Sequence, residues 1–262
     1  MQYLIATKAD HERPSLFKDL PQLLYFSKKS PVGDSYNEDA LGIFVVEDGY
    51  VLAIADGAGG YPKGEEAAEK ILMNLKNCFE SKNFNISNLR SHIVDTIDET
   101  NRELLSSGVG ARTTLTIVEV VKNKARCYQV GDSTALICGQ KGKLKYRSTA
   151  HSPVGYGIEA GLIDEEEALS HPDLHFISNL LGEARMKIEI GPEVELNPND
   201  SIFIASDGIF DNFSTDMVVE LIRKGDIEEI SRSILTDIEK NIYGKEDSKK
   251  DDISFILFKN DF

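Results

Sequence analysis

Apolar and polar positions along the chain follow two periods. Short apolar or alternating runs bounded by Gly, Asp, Asn or Pro predict strands at 23–27, 41–46, 50–55, 113–121, 125–130, 134–138, 143–147, 187–190, 193–196, 201–205 and 253–258. Glu47-Asp48-Gly49 between two of them predicts a hairpin. Helical spacing predicts a helix at 63–81, with Ala68, Ile71, Leu72, Leu75 and Phe79 on one face, and another at 87–106, with Leu89, Ile93, Ile97 and Leu104. Two more follow at 215–224, capped by Ser214 and stopped by Gly225, and at 227–242, with Ile227, Ile230, Ile234 and Ile238 on one stripe. Residues 1–21 show little periodicity and read as an N-terminal extension with a short strand at 3–6. Residues 148–180 are irregular and polar, with a short acidic helix near 164–170; a connection this long suits a functional flap.

Two runs stand apart. Residues 51–60, VLAIADGAGG, form an unbroken apolar stretch that ends in Asp56 and then in glycines. Residues 201–208, SIFIASDG, repeat that design and end in Asp207-Gly208. Each reads as a strand buried on both faces. An isolated carboxylate buried at such a strand end costs several kcal/mol unless a cation or donor meets it.

Helices come in pairs between groups of strands rather than alternating with them. That pattern predicts an α+β layered fold, antiparallel sheets covered by helices, and the lack of a linker predicts one domain over 1–262. The chain is long enough for a sizeable core. The formal net charge of −15 argues against nonspecific nucleic-acid binding. Cys78, Cys127 and Cys138 have no CxxC spacing, which suits a reducing compartment. With no membrane span and no secretory signal, the expected location is cytoplasmic.

Five acidic positions fall where a strand meets a turn: Glu38-Asp39, Asp56, Asp132, Asp207 and Asp251-Asp252. Each alone is most simply a turn or a solvated charge. Five together at strand ends are far less probable by coincidence. Clustered carboxylates repel unless cations neutralise them, and an all-oxygen donor set selects magnesium or manganese. Two such ions about 4 Å apart suit in-line phosphoryl displacement. The sequence has no GxxxxGK[ST], HExxH or GxSxG, and its histidines show no ligand spacing.

The ordered series resembles the metal-dependent serine/threonine protein phosphatases of type 2C, most of all their compact bacterial members. The matching pieces are Asn37-Glu38-Asp39-Ala40, Ala55-Asp56-Gly57-Ala58-Gly59-Gly60 with Gly64-Glu65 and Ala67-Ala68, Thr113-Thr114-Leu115 and Val130-Gly131-Asp132-Ser133. They continue with His151-Ser152-Pro153-Val154, Leu181-Gly182-Glu183, Ala205-Ser206-Asp207-Gly208-Ile209-Phe210-Asp211 and Asp251-Asp252-Ile253-Ser254. The resemblance implies a four-layer αββα sandwich. It implies that Asp56 bridges two Mn2+ or Mg2+ ions, that the Gly57 carbonyl binds the first, and that Asp207 and Asp251 hold the second. Asp251, not Asp252, takes that role because it fills the first place of the family's Asp-Asn pair. Glu38 and Asp39 would orient water, and Asp132 with Asp207 would hold a third ion.

Two departures from the family pattern concern the substrate side. Where many relatives carry a phosphate-gripping arginine, this chain has Asp34; Arg112 and Lys28-Lys29 are the cations considered in its place, each read first as a surface cation. Ala58 stands where eukaryotic relatives often place a histidine. The function implied is hydrolysis of phosphoserine and phosphothreonine in proteins by a metal-bridging hydroxide, in signalling opposite a Ser/Thr kinase. The alternative, motivated by Asp34, is an inactive phosphatase-like binding or regulatory module.

Overall fold

The structure, a computed structural model, describes residues 1–18, 20–32, 36–246 and 248–261. In chain order the elements are β1 (Gln2–Thr7), β2 (Ser15–Phe17), β3 (Leu20–Lys28), β4 (Asp39–Val46), β5 (Gly49–Asp56), α1 (Gly64–Glu80), α2 (Leu89–Ser107), β6 (Leu115–Val121), β7 (Lys124–Val130), β8 (Thr134–Cys138) and β9 (Leu144–Arg147). Then come α3 (Pro153–Glu159), α4 (Glu165–Ala168), β10 (Glu189–Ile190), β11 (Val194–Glu195), β12 (Ser201–Ala205), α5 (Asp207–Phe210), α6 (Thr215–Ile222), α7 (Ile227–Ile238) and β13 (Ile253–Lys259).

Among the described residues the strands form two antiparallel sheets. One has the order β1-β4-β5-β6-β7-β10, with β11 also on β7; the other runs β2-β3-β13-β12-β8-β9. Side chains alternate across each strand, and the alternation builds the layers. On β5, Leu52 and Ile54 enter the core between the sheets, while Val51, Ala53 and Ala55 meet the apolar faces of α1 and α2. On β12, Ile202 and Ile204 face the other sheet, and Phe203 and Ala205 pack under α6 and α7. This explains why 51–55 and 202–205 lack polar positions: each is covered on one face by a sheet and on the other by helices. The result is the expected four-layer α+β sandwich.

The helix faces match the expected ones. Ala68, Ile71, Leu72, Leu75 and Phe79 on α1, and Ile227, Ile230, Ile234 and Ile238 on α7, are all buried. No helix is long and apolar enough to cross a membrane among the described residues.

Three local expectations change. Residues 1–21, expected as an extension, contribute β1 to one sheet through pairing with β4, and β2 to the other through pairing with β3. Ser214 does occupy the N-cap position of α6, yet its side chain makes no cap bond. The Glu165 carboxylate receives the Thr215 amide (2.9 Å) and hydroxyl (3.1 Å) instead. A flap residue thus caps a distant helix, which local sequence cannot reveal. The flap also holds a helix that the pattern did not predict, α3, whose cap is Ser152 accepting from the Gly155 amide.

Ile204 is fully buried between the sheets. Ile204→Ala should cost roughly 2–5 kcal/mol, read as a lower denaturant midpoint in chemical unfolding. A cost near zero would contradict the shared inter-sheet core.

Candidate metal centre

The period-two alternation that fills the core also delivers the acids. Asp39 and Asp56 face each other in the β4–β5 register. They share the parity of Leu41, Ile43, Leu52 and Ile54, all in the inter-sheet core, so both carboxylates continue that core to its end. Asp207 begins α5 where β12 stops, and Asp251-Asp252 lead into β13, the neighbour of β12. Asp132 lies in the β7–β8 connection, which crosses from one sheet to the other. The charges of Asp39, Asp207, Asp251 and Asp132 all act on Asp56. Glu38 feels Glu65, Asp252 and Asp251. The structure therefore brings all five sequence-predicted positions to one end of the sandwich.

Their backbones are held from several sides. The Asp56 amide donates to Thr114 Oγ1 (3.0 Å), and the Asp56 carbonyl accepts from the Thr114 amide (2.8 Å) and Thr113 Oγ1 (2.7 Å). Thr114 Oγ1 in turn meets Ser133 Oγ at 2.7 Å, beside Asp132. Gly131 has φ +102°, and a Cβ there would lie 2.6 Å from Thr114, so only glycine lets this turn approach the Asp56 strand. At Gly57 a Cβ would lie 2.5 Å from the Gly64 backbone. The bonds flanking Gly57 run from the Ala58 amide to the Arg112 carbonyl and from the Thr114 amide to the Asp56 carbonyl, so the Gly57 carbonyl closes neither.

Asp251 and Asp252 differ in their surroundings. Both Asp252 oxygens accept backbone amides, from Ser30 (2.7 Å) and Glu38 (2.6 Å). Asp252 thus braces the Glu38 segment, while among the described residues Asp251 accepts the amide of its neighbour, at 2.8 Å. Asp39 receives Ser206 Oγ on Oδ2 (2.8 Å). Its Oδ1, and Oδ1 of Asp132, are buried with no hydrogen-bond partner among the described residues. Buried acceptors left bare in this way are costly and suit a cation.

Burial, reinforced by neighbouring carboxylates, pushes the carboxyls of Asp39, Asp56, Asp211 and Asp251 above the ordinary range. Burial first and Asp207 second raise Asp132 to about 7, against the pull of Lys249.

Two residues of the cluster escaped the sequence reading. Asp211 sits one helical turn after Asp207, a spacing that could have marked it. Lys249 had no such signal. Its ammonium lies 3.0 Å from Asp207 Oδ2 and also contacts Asp211 Oδ2. Among the described residues, no three acidic, His or Cys side chains stand drawn together as a ready metal shell. The donor set and the bare oxygens fit hard divalent ions, while Lys249 supplies positive charge on one side.

The cations considered in place of a phosphate-gripping arginine make other contacts. Arg112 pairs with Glu183 and stacks 4.1 Å over the Tyr61 ring. Lys28 lies 5.1 Å over Tyr243, and the charge of Lys29 reaches Asp252. Asp34 falls outside the described residues. His151 is buried: Nδ1 accepts the Gly131 amide (3.1 Å), which leaves the ring proton on Nε2, 3.2 Å from Glu189. It ties the flap to the Asp132 turn.

The protein phosphatase 2C model matches residues 31–239. The chain belongs to that family. Serine/threonine phosphatase stp of Listeria monocytogenes is 28% identical over 233 residues, covering 81% of this chain and 87% of that protein. The crystal structure of serine/threonine phosphatase Stp1 from Staphylococcus aureus superposes with TM-score 0.80 at 25% identity, covering 96% of this chain and all of that one. The PstP catalytic domain in complex with two manganese ions shares the fold at TM-score 0.69 and 20% identity, over 91% of this chain and 98% of that one.

Carboxyls with raised pKa hold their protons more tightly folded than unfolded. Between 3.8, the ordinary value of an aspartate, and about 7 for Asp132, the folded chain carries the extra proton, so stability falls as pH rises through that window. Chelator-treated protein should melt higher near about pH 5.5 than about pH 7.5, and Asp132→Asn should shrink the difference. A melting temperature that climbs with pH over this range would contradict the buried-carboxylate reading.

Proposed function

We propose that this chain hydrolyses phosphoserine and phosphothreonine in proteins with divalent ions held by its acidic cluster. One observation carries the reading: acids far apart in sequence converge at one end of the inter-sheet gap, with bare buried oxygens, in a member of the protein phosphatase 2C family. The names of the relatives, serine/threonine phosphatases, support the substrate class.

In this reading Asp56, the Gly57 carbonyl, Asp207 and Asp251 hold two ions, and Asp132 with Asp207 a third. Mn2+ or Mg2+ bound there would supply Lewis acidity toward the phosphoryl oxygens and lower the pKa of attacking water. The chain's own residues do the rest. Asp252 braces the Glu38 backbone, so Glu38 and Asp39 present carboxylates that orient water. The Thr113-Thr114 pair keeps Asp56 from shifting as charge builds on the substrate. The flap at 148–172, tied down through His151 and Glu165, borders the site. No nucleophilic side chain is required, so no covalent phosphoenzyme forms.

No observation favours an inactive binding module, because every acidic position of the motif series is present. The reading puts the enzyme in the cytoplasm, in signalling opposite a Ser/Thr kinase; the free state of Cys78, Cys127 and Cys138 supports a reducing compartment.

Purified protein with manganese should release phosphate from a phosphothreonine peptide. Asp207→Asn should lower kcat/KM by at least about 100-fold, since charge neutralisation at the phosphoryl group carries most of the acceleration. Absence of turnover with metal, or an unaltered rate in the variant, would overturn the proposal.

A further inference from the structure

Lys249 is a feature of the cluster that the family resemblance does not explain. Its backbone is fixed: the Lys249 amide donates to Asn212 Oδ1 (3.1 Å), and Asn212 Nδ2 donates back to the Lys249 carbonyl (2.8 Å) and to the Gly208 carbonyl (3.0 Å). Asn212 lies just past α5, so this clamp ties the loop before β13 to the helix that carries Asp207 and Asp211. From that anchor the lysine stem delivers its ammonium to Oδ2 of Asp207 and Oδ2 of Asp211. Its charge also acts on Asp132 and Asp251. Asp132, only 9% exposed, keeps a bare Oδ1, and its charge acts on Asp211.

We propose that Lys249 is a built-in cation that competes with a divalent ion for Asp207 and Asp211, weakening the last divalent site of this centre. The inference rests on the reading of Asp207 as a metal ligand. An ammonium and a divalent ion repel strongly at a few ångströms in a partly desolvated site. An ion that takes Asp207 Oδ2 on the Asp132–Asp211 side must therefore displace Lys249. The side chain can leave without moving the backbone, since lysine carries its charge on a flexible four-carbon stem. It borders an open cleft between Asp211-Asn212 and Leu169, His171 and His175, which gives the released ammonium access to water. Until displaced, the lysine offsets the repulsion among the carboxylates and stabilises the metal-free fold.

Manganese titration of the full chain, followed by calorimetry and by the EPR signal of free Mn2+, tests this. Lys249→Met should tighten the weakest site by about tenfold or more, within the usual span of coupling between two ligands. Lys249→Arg, which keeps the charge, should stay within a few-fold of the parent. Without metal, Lys249→Met should melt lower than the parent, and saturating manganese should raise its melting temperature by more. Should Lys249→Met fail to fold, amine acylation of the parent read by mass spectrometry replaces it: Lys249 should label slowly in chelator and faster in saturating manganese. Unchanged or weaker manganese binding in the folded variant, or labelling of Lys249 that ignores manganese, overturns the proposal. If the parent binds no manganese at all, the reading of the centre fails first, so the two failures are distinguishable.

Discussion

The rest of the structure depends on the repulsion among carboxylates held at one end of the gap between two sheets. Asp39, Asp56, Asp132, Asp207 and Asp251 sit where the core ends, close enough for each to feel others and too buried for water to screen them fully. No fold gathers such a group without a source of positive charge. The energy that could otherwise have gone into a closed apolar end is stored as an appetite for cations.

Holding that arrangement takes rigid neighbours. Asp56 ends a strand with neighbours on both sides, and the Thr113-Thr114 pair bonds its amide and carbonyl. Asp252 spends both oxygens on backbone amides, and in doing so positions Glu38. His151 and Glu165 hold the flap to the Asp132 turn and to the start of α6. These contacts explain why several polar residues of the family motifs are buried without touching the acids: they fix the backbones that present them.

The substrate side has a different character. Arg112 is committed to Glu183 and Tyr61, so the nearby cation with the best geometry for a phosphate is already paired. Lys249 is committed to Asp207 and Asp211. Among the described residues, the positive charge of Arg112 and Lys249 is thus bound up in internal pairs.

Local chemistry determined much of this protein. Alternation and helical spacing located strands 50–55 and 201–205, the faces of the first and last long helices, and each strand end that bears an acid, because these patterns depend on neighbours within a few residues. The tertiary structure alone decided what depends on pairing between distant segments. It recruited residues 1–21 to both sheets, replaced the Ser214 cap with Glu165, gave Asp252 the task of bracing Glu38, and brought Lys249 onto Asp207 and Asp211. A lysine in a polar loop looks like any solvated lysine in sequence. Only the packing of that loop against α5 makes it a counter-charge, because a Coulomb interaction depends on distance in space and leaves no period along the chain.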